Sequence, residues 1–80
     1  MCAYVYILGD DSLKQRTYVG WTIDLNRRLG QHNGGTGAKM TRGRTWALLY
    51  AERYETREEA MRREYFLKRD RKLRASIRFG

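Results

Sequence analysis

Five polar side chains lie where the hydrophobic pattern predicts apolar residues or sets no preference: Tyr6, Tyr18, Arg28, His32 and Glu64. A polar group that faces a core costs about 2 kcal/mol or more unless it finds a partner. Their accumulation in a chain of 80 residues therefore indicates a functional site. The set suits phosphodiester hydrolysis, which needs a base for the attacking water, a cation beside the phosphate and a metal ion for the leaving oxygen.

The ionisable residues also limit which metal site the chain can build. One carboxylate on a helix, Glu64, suits a single Mg²⁺ or Mn²⁺ ion that keeps most of its water ligands. A two-metal site needs more clustered acids than the sequence offers. With one His and one Cys, the chain cannot supply the four nitrogen or sulfur ligands of a structural zinc site.

Each of the five residues also has a plain structural explanation. A strand tyrosine commonly packs at the edge of a core with its hydroxyl in water. An arginine can lie along its own helix, a histidine near a helix end can cap it, and a glutamate can join an ion pair. The functional interpretation rests on all five occurring together.

The elements that must position these residues are visible in the hydrophobic pattern. Two stretches rich in β-branched and aromatic residues predict strands: residues 3–8 and 16–20. A loop containing Asp10 and Asp11, interpreted as turn residues, would join them into an antiparallel hairpin. If Tyr6 lies opposite Tyr18, both rings stand on one face of the sheet.

A first helix is predicted to begin at Thr22 as its N-cap. Four of its residues share one face by their spacing: Leu25, Arg28, Leu29 and His32. The apolar stretch Trp46–Tyr54 predicts a third strand, in an inner position of the sheet. A capping box, Thr56 with Glu59, opens a second helix that carries Glu64 among its core-facing positions.

These elements predict one domain over residues 1–80, of the α/β (α+β) class. We expect a three-stranded, mostly antiparallel sheet flanked by helices in the order ββαβα, with room for a further helix at the C-terminal end. Residues 33–45 form a glycine-rich stretch in which Lys39, Arg42 and Arg44 are placed to contact phosphate groups.

The charge balance indicates the class of partner. Seventeen Lys and Arg against nine Asp and Glu give a net charge of +8, which favours an anionic polymer. The longest apolar run is too short to span a membrane, and the N-terminus does not resemble a signal peptide. Since Cys2 has no second cysteine to pair with, we expect a cytoplasmic protein.

The motifs resemble those of a known family. Tyr4-Val5-Tyr6, followed after residues 7–17 by Tyr18-Val19-Gly20, resembles the paired signature of the GIY-YIG nucleases. Four further stretches are similar to blocks of that family and of its small standalone bacterial branch: residues 24–28, 31–33, 37–44 and 59–64. The resemblance extends from about residue 3 to residue 69 and implies the GIY-YIG nuclease fold.

The resemblance implies a role for each of the five residues. Tyr6 would assist deprotonation of the attacking water, and Tyr18 would order the site and contact water or phosphate. Arg28 would stabilise charge on the scissile phosphate, and His32 would transfer a proton or contact phosphate. Glu64 would hold one Mg²⁺ or Mn²⁺ ion.

The function expected from this resemblance is that of a DNA endonuclease that acts on branched, nicked or single-stranded DNA. Two departures from the family pattern are visible: Tyr4 replaces the first motif's glycine, and residues 74–76 lack the asparagine that many relatives carry after the second helix. A catalytically weak or inactive nucleic-acid-binding module on the same scaffold is the alternative. A small RNA-binding protein would explain the charge but not the ordered motifs.

Overall fold

Three antiparallel strands and three helices make up the computed structural model, which describes residues 2–10, 16–34 and 45–77. The strands are β1 (Ala3–Asp10), β2 (Thr17–Thr22) and β3 (Trp46–Tyr54). The helices are α1 (Leu25–Asn33), α2 (Arg57–Leu67) and α3 (Arg71–Ile77). The predicted order ββαβα is confirmed, with α3 as the further helix at the C-terminal end. None of the helices in these ranges has the length and apolar character needed to cross a lipid bilayer.

The central strand of the sheet is β1, because the strand order is β2-β1-β3. The prediction of an inner position for β3 was therefore wrong, although its bounds were predicted correctly. The exposed fractions explain the difference: Val5 and Ile7 of β1 are fully buried, whereas Leu48 of β3 is 44% exposed. A run of apolar residues does not by itself put a strand at the centre of a sheet, because a central strand must also be covered on both of its faces by other elements.

The register of the hairpin places Tyr6 opposite Gly20 and Tyr18 opposite Leu8. The expected pairing of Tyr6 with Tyr18 was thus wrong by two residues. Both tyrosines still lie on the same face, because strand side chains alternate with a period of two. Strand β2 also begins and ends later than predicted, at Thr17 and Thr22.

The hairpin is closed by Asp10, which does more than occupy a turn. Its side chain is buried, and Oδ1 accepts a hydrogen bond of 2.8 Å from the backbone N–H of Arg16. Its own backbone N–H donates to the Arg16 carbonyl oxygen at 3.0 Å. These bonds connect the end of β1 to the residue before β2 and so help to set the register between the strands.

Two small cores lie on opposite faces of the sheet. On one face, α2 packs on β1 and β2 through a fully buried cluster: Ala3, Val5, Ile7, Val19, Ala60 and Leu67. On the other face, Leu25 and Leu29 of α1 pack against Tyr6, Leu8 and Trp46. The first helix therefore covers the face that carries the two tyrosines.

The helix starts follow ordinary capping rules. Helix α1 is capped by Asp24, whose Oδ1 accepts a hydrogen bond of 3.1 Å from the Arg27 N–H. The predicted cap, Thr22, instead accepts a hydrogen bond from the Asp24 N–H. The start of α2 is as predicted, with the Thr56 hydroxyl accepting from the Glu59 N–H at 3.2 Å.

A carboxylate on β3 connects the sheet to α2. Glu52 Oε1 accepts hydrogen bonds from Arg63 Nε at 2.8 Å and from the Tyr54 hydroxyl at 2.6 Å. Glu52 Oε2 accepts from Arg63 Nη2 at 3.1 Å and from the Tyr50 hydroxyl. Arg63 is the main reason that the pKa of Glu52 falls from 4.5 to about 2. Because Glu64 is the next residue after Arg63, this network also restrains the part of α2 that carries Glu64.

Replacing Glu52 by Gln should lower the free energy of unfolding by about 2–3 kcal/mol at pH 7. A carboxylate with a depressed pKa stabilises the folded state above its ordinary pKa and loses that contribution as pH falls through the folded value. The gap between wild type and Glu52→Gln should therefore narrow from pH 4.5 towards pH 2. Urea unfolding across this range measures it. The exposed Glu55→Gln is the control, and a loss of similar size there would contradict the prediction.

Candidate active site

A buried hydrogen bond joins the central strand to the first helix. The Tyr6 hydroxyl of β1 and Nε2 of His32 in α1 are 2.9 Å apart. Tyr6 is 2% exposed and His32 is fully buried. Bulk water therefore does not compete for this contact, and the two polar groups satisfy each other inside the protein.

Gly20 makes room for the Tyr6 hydroxyl. A Cβ added at Gly20 would lie 2.6 Å from Tyr6 Oη and 3.0 Å from Tyr18 Cε2. Since Gly20 is directly opposite Tyr6 across the hairpin, the ring of Tyr6 extends over the glycine backbone. The glycine of the Tyr18-Val19-Gly20 motif is thus required by a contact with the first motif's tyrosine.

Tyr18 lies beside this hydrogen-bonded pair. Its ring centroid is 4.9 Å from that of His32 and 6.4 Å from that of Tyr6. Trp46 closes the other side, with its ring centroid 6.4 Å from that of Tyr18. Tyr18 is half-buried, so this part of the cluster reaches the protein surface.

Arg28 supplies positive charge to the same cluster. It lies one turn before His32 on α1, is half-buried, and its Nη1 donates to Gln31 Oε1 at 3.0 Å. A hydrogen bond with Tyr6 is the largest cause that raises the pKa of Arg28 above its ordinary value. The guanidinium group therefore stays charged and is held beside the tyrosines by Gln31.

The surroundings keep both members of the buried pair neutral at pH 7. Burial is the main cause that raises the pKa of Tyr6, and hydrogen bonding from Arg28 opposes it in part. Burial is also the main cause that lowers the pKa of His32, and the charge of Arg28 lowers it further. A neutral imidazole with its proton on Nδ1 can accept the Tyr6 O–H at Nε2.

Glu64 is the member of the five that stands apart. Its side chain is 22% exposed, and Oε2 lies 3.9 Å from Nζ of Lys68 on the same helix. Its negative charge contributes to the raised pKa of Tyr6, so the two groups interact electrostatically. The structure thus brings Tyr6, Tyr18, Arg28 and His32 into one cluster, with Glu64 acting on it through its charge.

The donor set at Glu64 fits only a sparsely held metal ion. Within residues 2–10, 16–34 and 45–77, no group of three or more His, Cys, Asp or Glu side chains could hold a metal ion. A lone carboxylate oxygen ligand is compatible with Mg²⁺, which usually keeps several waters. The ion pair with Lys68 is partly exposed, and such pairs are weak enough for a divalent cation to displace.

The basic residues predicted to contact phosphate, Lys39, Arg42 and Arg44, lie outside the described residues. The chain on either side of their stretch is connected by Asn33. Its Nδ2 donates to the Trp46 carbonyl oxygen at 3.0 Å, and its Oδ1 accepts from the Trp46 N–H at 2.6 Å. The side-chain amide therefore fastens the end of α1 to the start of β3.

Three residues of the site carry roles that sequence reasoning did not assign. Gly20 clears space for Tyr6, Gln31 holds Arg28, and Asn33 fixes the end of the helix that bears His32. Only Gly20 had a usable signal, since a glycine inside a strand often marks a close approach of another group. The partners of Gln31 and Asn33 depend on how α1 lies against the sheet.

Replacing Gly20 by Ala should lower the free energy of unfolding by about 1–3 kcal/mol, because the added methyl group overlaps the Tyr6 hydroxyl. Gly30→Ala is a matched control on α1, where an added Cβ meets no atom within 4 Å. It should instead stabilise the helix by about 0.5–1 kcal/mol. Chemical denaturation measures both changes in the free energy of unfolding, and equal effects of the two alanines would refute the close contact between Gly20 and Tyr6.

His32 should make stability depend on pH. Its folded pKa lies below 6.5, so the unfolded chain binds more protons and stability falls as pH drops below 6.5. One proton accounts for at most about 1.4 kcal/mol per pH unit. His32 is the chain's single histidine, so His32→Gln should remove the part of the pH dependence of stability that arises from histidine. Urea unfolding measured between pH 5 and pH 8, a range of about 3 units, tests this. Identical slopes for the two proteins would contradict the prediction.

Comparison with known proteins shows to which family the chain is related. The family profile described as the GIY-YIG catalytic domain matches residues 2–76. A UPF0213 protein of Clostridium perfringens is 49% identical over 69 residues, which cover 82% of this chain and 70% of that protein. A UPF0213 protein of Halobacterium salinarum is 52% identical over 52 residues, covering 64% of this chain and 68% of that protein.

A solved structure shares the fold. The solution NMR structure of the UPF0213 protein BH0048 from Bacillus halodurans is 39% identical, with a TM-score of 0.54. The similarity covers 96% of this chain and 82% of that one. From the profile match over nearly the whole chain and from these relatives, we conclude that the chain belongs to the GIY-YIG family.

Proposed function

We propose that this protein is a divalent-metal-dependent endonuclease that hydrolyses phosphodiester bonds in DNA. Membership in the GIY-YIG family implies nuclease activity. The observation that supports hydrolysis of phosphodiester bonds is the buried hydrogen bond between Tyr6 and His32, with Arg28 beside it. It joins a proton-transfer pair to a fixed positive charge, which are two of the requirements of phosphodiester hydrolysis.

The proposed proton path runs from water to Tyr6 and on to His32. As the water oxygen bonds to phosphorus, the bond from phosphorus to the leaving nucleotide oxygen breaks. The proton of the water passes to Tyr6 Oη, and Tyr6 gives its own proton to His32 Nε2, 2.9 Å away. The raised pKa of Tyr6 disfavours a free phenolate, so the tyrosine needs an acceptor for its proton. The neutral imidazole of His32 is that acceptor.

Arg28 and Tyr18 are proposed to bind the scissile phosphate. A phosphate gains negative charge on its equatorial oxygens as the water attacks, and a guanidinium group can donate to two of these oxygens at once. Gln31 holds the Arg28 side chain before substrate arrives, which reduces the entropy lost on binding. Tyr18 reaches the surface next to Arg28 and can donate its hydroxyl to the same phosphate.

Glu64 is proposed to hold a Mg²⁺ or Mn²⁺ ion, which would supply positive charge to stabilise the leaving oxygen. Two features support this assignment: its carboxylate is partly exposed, and its charge acts on Tyr6. Lys68 occupies the carboxylate by an ion pair of 3.9 Å and would be displaced by the ion.

The proposed substrate is branched, nicked or single-stranded DNA, in DNA repair, recombination or DNA processing in the cytoplasm. The net charge of +8 supports binding to the phosphate backbone. Contacts to the phosphate backbone carry no sequence information of their own. Recognition by charge and shape is therefore favoured over recognition of sequence.

With Mg²⁺ present, wild type should incise at least one of three DNA substrates, namely single-stranded, nicked and branched. Glu64→Gln should reduce the rate by about 100-fold or more, because the metal loses its protein ligand. Glu58→Gln, an exposed carboxylate in the first turn of the same helix, is the control and should retain activity. Cleavage of an RNA strand of the same length, measured beside the DNA strands, shows whether the protein acts on DNA or on RNA.

Equal cleavage by wild type and Glu64→Gln would refute the metal assignment. Salt-sensitive binding by wild type without cleavage under Mg²⁺ or Mn²⁺ would overturn the enzyme proposal in favour of a nucleic-acid-binding module.

A further inference from the structure

A cleft of about 510 Å³ opens beside β2, where α1 and α2 both begin. Its volume lies within the range of about 300–1,000 Å³ that is typical of ligand pockets. Arg28 lines it, so the cleft is continuous with the tyrosine and histidine cluster. The other lining residues used below have had no functional role so far: Trp21, Ile23, Asp24, Arg27 and Arg57.

The wall of the cleft has two chemically different parts. Trp21 and Ile23 form an apolar part, in which Trp21 is half-buried and Ile23 is 43% exposed. Three guanidinium groups, those of Arg27, Arg28 and Arg57, form a cationic part. A nucleotide has the same two chemical parts, a planar base that can stack on an aromatic ring and a phosphate that pairs with arginine.

The arginines of the cleft are not explained by ion pairs or by helix stability. In the portions of the chain that the structure describes, neither Arg27 nor Arg57 forms an ion pair. Both lie in the first turn of their helices, where a positive charge is unfavourable because the helix dipole is positive there. Among the described residues of the wall, the one carboxylate is that of Asp24, which is engaged as the N-cap of α1.

We propose that this cleft binds the unpaired nucleotide next to the scissile phosphate. Its base lies against Trp21 and Ile23, and its phosphate is bound by Arg27 and Arg57. A base within a duplex is stacked and paired, so it can enter a concave cleft only after leaving the helix. The cleft therefore selects unpaired nucleotides at the cut site, whichever base they carry.

The position of Arg28 connects the cleft to the chemistry. Arg28 lines the cleft, and its charge also acts on Tyr6, so a phosphate bound by Arg28 and the nucleotide in the cleft belong to adjacent positions on one strand. The inference rests on the proposed nuclease function for the word scissile. The binding of an unpaired nucleotide can be measured without cleavage, which keeps the two proposals separable.

The test measures binding of a labelled, short deoxythymidine oligonucleotide by fluorescence anisotropy in EDTA, where no metal-dependent cleavage occurs. The double variant Arg27→Gln/Arg57→Gln should weaken binding by about tenfold or more. The control, Arg16→Gln/Arg62→Gln, removes two positive charges at exposed positions outside the cleft and should weaken binding only slightly. Equal weakening by the two double variants would overturn the proposal, because only net charge would then matter.

A change on the ligand side tests whether the base enters the cleft. An abasic strand has the same phosphates but no bases, so it should bind wild type several-fold more weakly than the deoxythymidine strand, and the cleft variant should lose most of this preference. Equal binding of the two strands by wild type would refute the placement of the base. If wild type fails to cut DNA in Mg²⁺ but shows this base preference, the nuclease proposal falls and the nucleotide cleft stands.

Discussion

Strand β1 is buried on both of its faces, and this constraint determines where the other elements can lie. Side chains on a strand alternate between faces, so Val5 and Ile7 need cover on one side while Tyr6 and Leu8 need it on the other. Helix α2 supplies the first cover and α1 the second. A shift of β1 by one residue would exchange the two faces of the strand, so that Tyr6 would point away from His32. The same requirement that forms the two cores therefore positions the pair that is central to the candidate site.

The hairpin turns this constraint into a specific contact. Asp10 ties the end of β1 to Arg16, and the resulting register puts Gly20 opposite Tyr6. A glycine inside a strand costs stability, because it lacks a side chain to pack. Here the missing Cβ is the space that the Tyr6 hydroxyl occupies, so the cost is offset by a buried hydrogen bond to His32. The two halves of the family signature thus depend on each other through one contact.

The two helices bring different chemistry to the neighbourhood of β2. Helix α1 carries His32, with its lowered pKa, into the core and holds Arg28 beside it. Helix α2 is fastened to β3 by Arg63 and Glu52, immediately before the carboxylate of Glu64. Both helices begin at the cationic cleft. In the function we propose, the buried cluster moves protons while the cleft and Glu64 bind the substrate and the ion, so each group works in the dielectric environment that suits it.

The sequence by itself determined the features that depend on neighbours along the chain. Periodicity placed the strands and helices, Thr56 and Glu59 marked the start of α2, and alternation put Tyr6 and Tyr18 on one face despite the wrong register. The ordered motifs identified the family, which the profile match over residues 2–76 confirms. Only the tertiary structure decided that β1 rather than β3 is central, that Gly20 lies opposite Tyr6, and that Glu52 fastens α2. It also decided that Arg27 and Arg57 line one cleft. These contacts join residues far apart in the chain, and their geometry follows from which faces of the sheet the helices cover, which no local pattern contains.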